Sequence, residues 1–250
     1  MTVSNTDGGY DATHKLSAQQ RHASPPQPLA FPLPLAMHQL LLHGLPLEEQ
    51  AAIVQTWGWP ALGLLRLSLW RHGEERVNDV LLEAGLFAAS LSWTGGFTGT
   101  TGLTFREAVA DGRLAIREAA ALGAKVLVVA PGARGGHTLR HALRVTGEGL
   151  KYLADEAADR GVRLAVLMDP LSRRSGATCV NELQAAEQLQ VQVNASVLGW
   201  ACPLHRWEEF SDGGSAWNAV AGRLWVAWCP LPPDEQRGAA QWRMRMQLGL

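Results

Sequence analysis

Two residues with acid–base side chains each follow directly on an apolar run. Asp169 comes after residues 163–168, and His38 comes after residues 35–37. A carboxylate or an imidazole that is partly withdrawn from water can take up or release a proton during a reaction. We therefore predict Asp169 and His38 as catalytic residues. The alternatives are a loop or helix-capping aspartate and a hydrogen-bonded core histidine.

Other polar and aromatic side chains are candidates for substrate binding. The alternation of side chains along a strand allows only one of the neighbours His38 and Gln39 to face a site inside the sheet. Arg66 ends a second apolar run and can bind a carboxylate, a phosphate or an enolate, or else form a salt bridge at the rim. The complete set of predicted substrate-binding residues is Gln39, Arg66, Trp93, Asn194, Ser196 and Trp200.

The chain contains 10 tryptophans, a high number for 250 residues. They can serve simply as core packing, or some can wall an aromatic pocket for a flat or apolar ligand. Trp93 stands in a glycine-rich segment at residues 93–99, where we expect it to overhang such a pocket. Asn194 and Ser196 belong to a predicted sixth strand and can hydrogen-bond a ligand from there.

These candidates depend on a repeated pattern in the sequence. Residues 112–130 and 152–168 each read as an amphipathic helix, a glycine and a short, almost wholly apolar strand. This pattern is typical of a parallel sheet that is buried on both faces. Seven strands are predicted, at residues 35–40, 61–67, 86–92, 125–130, 163–168, 191–197 and 223–229.

Seven such steps predict an α/β fold of the TIM type, a (β/α) barrel with seven clear βα units. The eighth unit is short or incomplete, because residues 242–248 read as a helix or an irregular strand. Residues 1–30 are rich in Gln, Ser and Pro, and we expect a disordered or loosely draped tail there. The domain organisation is therefore a tail at 1–30 and a single barrel domain at 31–250.

Composition excludes several classes of function. The formal net charge is −1 and no basic block occurs, so nothing favours nucleic-acid binding. No apolar run has the length of a membrane span, which argues against a membrane protein. The three cysteines have no metal-like spacing, and a sparse, odd set suits a reducing cytoplasm. We therefore expect a cytoplasmic protein that acts on a small molecule.

Four stretches together resemble the sugar phosphate isomerase/epimerase family, the barrels related to xylose isomerase. They are residues 45–66, 82–97, 112–132 and 152–170, the last leading into Asp169-Pro170-Leu171. The resemblance implies one divalent metal at the carboxyl ends of the strands. Its ligands are a Glu after strand five, an Asp with a His three residues later after strand six, and a Glu after strand eight. It also implies that two carboxylates move a proton beside a carbonyl.

The sequence departs from this ligand pattern. Asp169 stands in place of the first Glu, Asn194 in place of the Asp and Val197 in place of the His, and no Glu follows an eighth strand. Asparagine is a weak neutral ligand and valine is none, so a single carboxylate remains. We therefore predict a degenerate site with no resident metal and no cofactor.

The resulting expectation is a metal-independent isomerase- or epimerase-like enzyme, or a cyclase or lyase, of secondary metabolism. It would transfer protons on a small hydroxy-carbonyl or aromatic metabolite. One alternative is a non-catalytic barrel that binds a ligand or acts as partner subunit of an active homologue. A second alternative is a metal-dependent sugar isomerase or epimerase. An incomplete barrel exposes a strand edge, so we also expect a homo- or hetero-oligomer, or the tail, to cover it.

Overall fold

The computed structural model describes residues 35–169, 177–203, 222–230 and 244–248. The strands are β1 (Leu35–His38), β2 (Ala61–Leu65), β3 (Phe87–Gly95), β4 (Val126–Ala130), β5 (Arg163–Leu167), β6 (Leu198–Pro203), β7 (Leu224–Pro230) and β8 (Met244–Leu248). The helices are α1 (Leu47–Thr56), α2 (Arg66–His72), α3 (Glu74–Glu83), α4 (Phe105–Ala121), α5 (Leu139–Asp159) and α6 (Leu183–Val193), and a 3-10 turn (Gln39–Leu42) follows β1. The predicted tail at 1–30 and a weak helix predicted at 207–221 lie outside the described residues.

The strands form a closed barrel in chain order. Each of β1 to β6 pairs in parallel with the next strand, whereas β8 is antiparallel to both of its neighbours, β7 and β1. The TIM-type barrel with seven parallel strands is confirmed, and residues 244–248 of the short eighth unit form a strand. Because β8 pairs with β1 and β7, the open edge expected between them is closed, and this reason for expecting a partner there no longer applies.

The side chains of the barrel fall into two layers. The layer inside the barrel is made of small residues, whereas larger ones fill the layer between the sheet and the helices. On β4, Val128 faces the interior while Leu127 and Val129 lie in the outer layer, as alternation along a strand requires. The same alternation decides which residues at the strand ends face the barrel axis.

In the sequence, Thr104 to Glu107 reads as a capping box and predicts a helix over residues 104–122. The Thr104 hydroxyl oxygen accepts a hydrogen bond from the Glu107 backbone N–H at 3.3 Å, and a Glu107 carboxylate oxygen accepts one from the Thr104 N–H at 2.8 Å. This reciprocal capping box satisfies two of the backbone donors that a helix start leaves without partners. The predicted helix at 104–122 is therefore confirmed to within one residue at each end.

The sixth strand is predicted in the wrong place. Helix α6 continues to Val193, and β6 begins at Leu198, so the strand predicted at 191–197 is wrong. Ala186, Leu189 and Val193 are buried at helical spacing, a signal that the alternation of apolar and polar residues over 191–197 obscured. Asn194 ends the helix in the left-handed conformation, with a φ of 50°.

Two further boundaries differ near the start of the barrel. The second strand was predicted to run to residue 67, but β2 ends at Leu65 and Arg66 begins α2. The first strand was predicted to run to residue 40, but it ends at His38. Among the described residues, no helix is both long and apolar enough to cross a membrane.

Gly95 shows how tightly β3 and β4 approach each other. Its φ is +129°, and a Cβ at this position would overlap the carbonyl group of Ala130 on β4. We expect Gly95→Ala to lower the free energy of unfolding by about 3 kcal/mol, combining backbone strain with overpacking. Urea unfolding of the purified protein measures the loss.

Gly102→Ala is the matched control, because Gly102 also has a positive φ, +86°, but has no atom within 4 Å of the added Cβ. It should lose only about 1 kcal/mol, the cost of a left-handed backbone for alanine. Equal losses in the two variants would show that the contact with Ala130 is unimportant.

Candidate functional site

His38 lies at the carboxyl end of β1, on the interior side of the barrel. Ala36 faces the interior two residues earlier, and His38 is 1% exposed. Its Nδ1 accepts a hydrogen bond from the Leu40 backbone N–H at 3.3 Å, and its Nε2 lies 3.3 Å from the Ser92 hydroxyl oxygen. Because Nδ1 is an acceptor, the neutral ring carries its hydrogen on Nε2 and donates it to Ser92.

Burial determines the charge of His38. Desolvation lowers the pKa of the imidazole from 6.5 to about 4, because no described group compensates a positive charge there. The expectation that His38 titrates near neutral pH is therefore corrected. At pH 7 it is a neutral imidazole that offers a hydrogen-bond donor.

Gln39 points away from the interior, so the expectation that only one of the two neighbours faces inward is confirmed. Its amide nitrogen donates to Gln50 Oε1 at 2.9 Å. Its Oε1 accepts from the Leu65 N–H at 2.6 Å and from the Ser68 hydroxyl at 2.9 Å. The Gln39 side chain thus joins α1, β2 and α2, a structural role in place of the predicted contact with substrate.

Arg66 forms the rim salt bridge that was its structural alternative. Its Nε donates to a Glu118 carboxylate oxygen at 2.6 Å, and its Nη1 donates to both carboxylate oxygens of Asp111 at 2.8 Å. Nη1 also lies 3.5 Å from the Trp93 carbonyl oxygen. Since two carboxylates from α4 already neutralise the guanidinium, binding a substrate anion at Arg66 would require breaking this network.

A cavity of about 410 Å³ opens beside His38 at the carboxyl ends of β1 to β3. Its lining residues are Leu40, His43, Leu65, Arg66, Leu67, Trp70, Ser92 and Trp93. The Trp93 ring lies nearly parallel to the imidazole of His38, with centroids 6.4 Å apart. Trp93 therefore lines a pocket as predicted, although it is part of β3 and does not lie in a loop.

Trp70 and Ser92 were not among the predicted site residues. Trp70 follows Arg66 by four residues on α2, and its ring centroid lies 5.1 Å from the guanidinium carbon. Had the sequence analysis identified α2 as a helix, the spacing of four residues would have predicted that Trp70 and Arg66 are neighbours. Ser92 lies within a strand, where sequence alone does not show that it faces His38.

Asp169 follows β5 on the far side of the barrel from His38. β5 ends at Leu167 in the interior layer, and Met168 after it is buried in the outer layer. The Asp169 backbone N–H donates to the Val180 carbonyl at 3.1 Å, and the residue is half-buried. Asp169 thus stands at the carboxyl end of β5, and its role as a catalytic residue stays a prediction.

Cys202 on β6 is the neighbour of Asp169 that sequence analysis missed. Burial, and secondarily the negative charge of Asp169, raise the pKa of the Cys202 thiol to about 12. The thiol is therefore neutral at physiological pH. Its pairing with Asp169 follows from the position of β6, which the sequence prediction misplaced.

The remaining predicted residues do not reach the mouth. Asn194 and Ser196 are exposed in the connection that precedes β6, at the amino end of the strands. Trp200 is completely buried in the outer layer between sheet and helices, and its Nε1 has no hydrogen-bond partner among the described residues. The predicted substrate-binding roles of Asn194, Ser196 and Trp200 are therefore corrected, because all three followed from the misplaced strand.

The position of β6 also moves the expected metal-ligand pair. With β6 ending at Pro203, the ligand pair that the resemblance implies after strand six does not fall on Asn194 and Val197, and residues 204–221 lie outside the described residues. Within the described ranges, no group of three or more His, Cys, Asp or Glu side chains can hold a metal ion. Among these residues, the carboxylate of Asp169 alone does not make a site for a hard divalent cation.

The low pKa of His38 links stability to pH. The unfolded histidine binds a proton below pH 6.5, whereas the folded one stays neutral until about pH 4. The contribution of His38 to the free energy of unfolding is therefore complete above pH 6.5 and is lost as the pH falls towards 4. We expect about 2 kcal/mol to be lost between pH 7.5 and 5, at about 1.4 kcal/mol per pH unit.

His38→Asn removes the titration while keeping an acceptor for the Leu40 N–H. Urea unfolding at the two pH values should show that wild type loses more stability than His38→Asn by this amount. The same loss in both proteins would mean that His38 is not buried in a neutral state.

The Arg66 network gives a second prediction. Arg66→Met leaves the carboxylates of Asp111 and Glu118 close together without a counter-charge, and Glu118 is buried. We expect a loss of about 3–5 kcal/mol in the free energy of unfolding. The triple variant Arg66→Met/Asp111→Asn/Glu118→Gln should recover most of the lost stability. If Arg66→Met alone were as stable as wild type, Arg66 would have no structural role.

Comparison with known proteins places this barrel in a group. Residues 51–198 match the family model of the xylose isomerase-like TIM barrel. No curated protein sequence matches the chain significantly. Three solved structures with the same fold share between 16% and 23% sequence identity with this chain.

A protein from Sinorhizobium meliloti 1021 is 23% identical, with a TM-score of 0.65 over 76% of this chain and 70% of its own. D-allulose 3-epimerase from Methylomonas sp. is 22% identical, with a TM-score of 0.63 over 80% and 74%. 3-Keto-D-glucoside 4-epimerase from E. coli is 16% identical, with a TM-score of 0.63 over 75% of each chain. From the family match and the barrel together, the chain belongs to the xylose isomerase-like TIM barrel family.

Proposed function

We propose that the chain is an isomerase- or epimerase-type enzyme that transfers a proton at a carbon next to a carbonyl, without a resident metal. Its substrate is a small hydroxy-carbonyl or aromatic metabolite, and its expected location is the cytoplasm. The observation that carries the proposal is the buried, neutral His38, whose Nε2–H donor lies at the mouth of the barrel. Such a donor can stabilise a developing oxyanion without carrying a charge of its own.

The proposed reaction divides the chemistry between two sides of the mouth. The carboxylate of Asp169 takes the proton from the carbon next to the carbonyl, and the C–H electron pair moves into the carbonyl to form an enolate or enediolate. The Nε2–H of His38 exchanges its hydrogen bond to the Ser92 hydroxyl for one to the oxygen that becomes negative. For isomerisation, the proton of the neighbouring hydroxyl moves to the oxyanion, and the abstracted proton is returned to the former carbonyl carbon while the other oxygen becomes the new carbonyl. Return of a proton to the other face of the original carbon restores the carbonyl and epimerises the substrate.

The arrangement of the strands supports this division of roles. Asp169 follows β5 and His38 ends β1, four strands apart in the eight-stranded closed barrel. A substrate lying across the mouth can therefore contact both. The carboxyl ends of the strands are where barrels of this type have their active sites. The two structural neighbours that are epimerases agree with this proposal, although a shared fold alone does not define a reaction.

A metal-dependent sugar isomerase or epimerase is the second candidate. Asp169 supplies a carboxylate after β5, and His205 follows the end of β6 by two residues in sequence, where the resemblance implies a ligand histidine. Carboxylate and imidazole ligands together suit an ion such as Zn²⁺ or Mn²⁺. The two candidates differ in whether a chelator-treated protein is active.

Deuterium incorporation tests the proposal directly. Chelator-treated protein in D2O is incubated with 2-hydroxyacetophenone, D-fructose or D-allulose, and proton NMR follows the C–H signal next to the carbonyl. We expect exchange with the aromatic hydroxy-ketone, and a loss of about 100-fold or more in Asp169→Asn, the typical contribution of a general base.

Asp159→Asn is the matched control, because Asp159 is an exposed residue at the end of α5, before β5 begins. It should exchange at the wild-type rate. Equal rates in Asp169→Asn and wild type would remove Asp169 as the base. Exchange that appears only after Zn²⁺ or Mn²⁺ is added would establish the metal-dependent candidate. Absence of exchange under all conditions would favour the non-catalytic partner subunit.

A further inference from the structure

A second cavity adjoins the one beside His38. It measures about 270 Å³ and shares three lining residues with the first, His43, Leu65 and Leu67. Its remaining lining residues are Gln39, Gly44, Leu45, Pro46, Gln50, Ser68, Arg71 and His72. We name the two together the β1–β3 cleft. The larger cavity alone falls within the range of roughly 300–1,000 Å³ that is typical of small-molecule sites.

One half of the cleft is apolar and exposed. Leu40, Leu67, Trp70 and Trp93 are 43%, 39%, 64% and 42% exposed, and all four line the larger cavity. Single exposed hydrophobic residues are common, but a contiguous group in a concavity is typical of a binding site. The guanidinium of Arg66 covers one side of the Trp70 ring, which orients the indole.

The other half of the cleft is basic. Arg71, His43 and His72 line the smaller cavity. Within the part of the chain that the structure describes, no carboxylate forms an ion pair with Arg71, although carboxylates lie nearby. Glu48 pairs with Arg76 at 2.7 Å, and the two acidic residues of α4 are held by Arg66. Arg71 therefore presents a positive charge that no described carboxylate neutralises.

We propose that the β1–β3 cleft binds an aromatic carboxylate. The ring packs against Trp70 and Trp93 in the apolar half, and the carboxylate accepts hydrogen bonds from Arg71, with His43 between the two halves. A guanidinium and a carboxylate form a paired, charge-assisted contact. Because a single guanidinium is unneutralised here, a monoanion matches the cleft better than a phosphate dianion does.

This cleft adjoins the proposed reaction site. Ser92 lines the larger cavity and also receives the hydrogen bond from His38 Nε2. A ligand in the cleft is thus next to the donor that the proposed reaction uses. The inference that an aromatic carboxylate is the substrate rests on the proposed function. Its binding to the cleft, in contrast, can be measured without any turnover.

Isothermal titration calorimetry of the full chain with 1-naphthoate tests the cleft. Trp70→Leu removes the aromatic wall and Arg71→Gln removes the charge, and each should weaken binding at least tenfold. 1-Naphthalenemethanol has the aromatic ring without the charge, and acetate has the charge without the ring. Each should bind at least tenfold more weakly than 1-naphthoate. Circular dichroism confirms that each variant is folded.

Two matched controls separate the cleft from general surface effects. Trp57→Leu replaces a tryptophan of the same 42% exposure as Trp93, at the end of α1, outside the cleft. Arg140→Gln replaces an exposed arginine on α5. Both should bind 1-naphthoate within twofold of wild type.

Several results would overturn the proposal. Unchanged affinity in Trp70→Leu or Arg71→Gln, or no heat of binding at millimolar 1-naphthoate, excludes the cleft as this site. Tighter binding of 1-naphthyl phosphate excludes the monoanion. Calorimetry needs no turnover, so binding of 1-naphthoate by a protein without deuterium exchange, and exchange by a protein that does not bind 1-naphthoate, are different results that separate the cleft from the proposed reaction.

Discussion

The buried ion-pair network of Arg66 holds together the part of the barrel in which the candidate site lies. Its guanidinium joins the start of α2 to two carboxylates on α4, and Thr94 of β3 donates to one of them, Asp111, at 2.7 Å. Burying these charges is costly unless each is paired and hydrogen-bonded. The network therefore allows few alternative positions for α2. Trp70 is carried on that helix and contacts the same guanidinium.

The state of the titratable groups follows from the same burial. Desolvation keeps two buried groups neutral, the His38 imidazole at the interior mouth and the Cys202 thiol in the outer layer. Neutral polar groups beside indole rings suit a substrate that is less polar than a sugar. This environment gives the fixed Nε2–H donor its value, since a hydrogen bond to a developing oxyanion is stronger where water is excluded. The β1–β3 cleft leads from this neutral environment outward to Arg71, whose charge no described carboxylate neutralises.

Local sequence signals were sufficient for most of the fold. The glycine between an amphipathic helix and an apolar strand predicted the parallel barrel, and Thr104 with Glu107 predicted the start of α4. The alternation of His38 and Gln39 was also predicted. The prediction for residues 191–197 failed because apolar and polar residues alternate there as in a strand, while Val193 also continues the helical spacing of Ala186 and Leu189. Only packing against neighbouring elements decides between the two patterns. That one error misplaced Asn194, Ser196 and Trp200 and hid Cys202.

The sequence by itself determined the order of the helices and strands, the barrel and the acid–base residues at the ends of β1 and β5. These follow from periodicity and residue type, which are local properties. The tertiary structure decided the neutral state and tautomer of His38, the pairing of Arg66 with α4 and the joining of two cavities into one cleft. Each of these depends on groups that lie far apart in the chain, 54 residues for His38 and Ser92. Desolvation and ion pairing arise only when such groups are brought into contact.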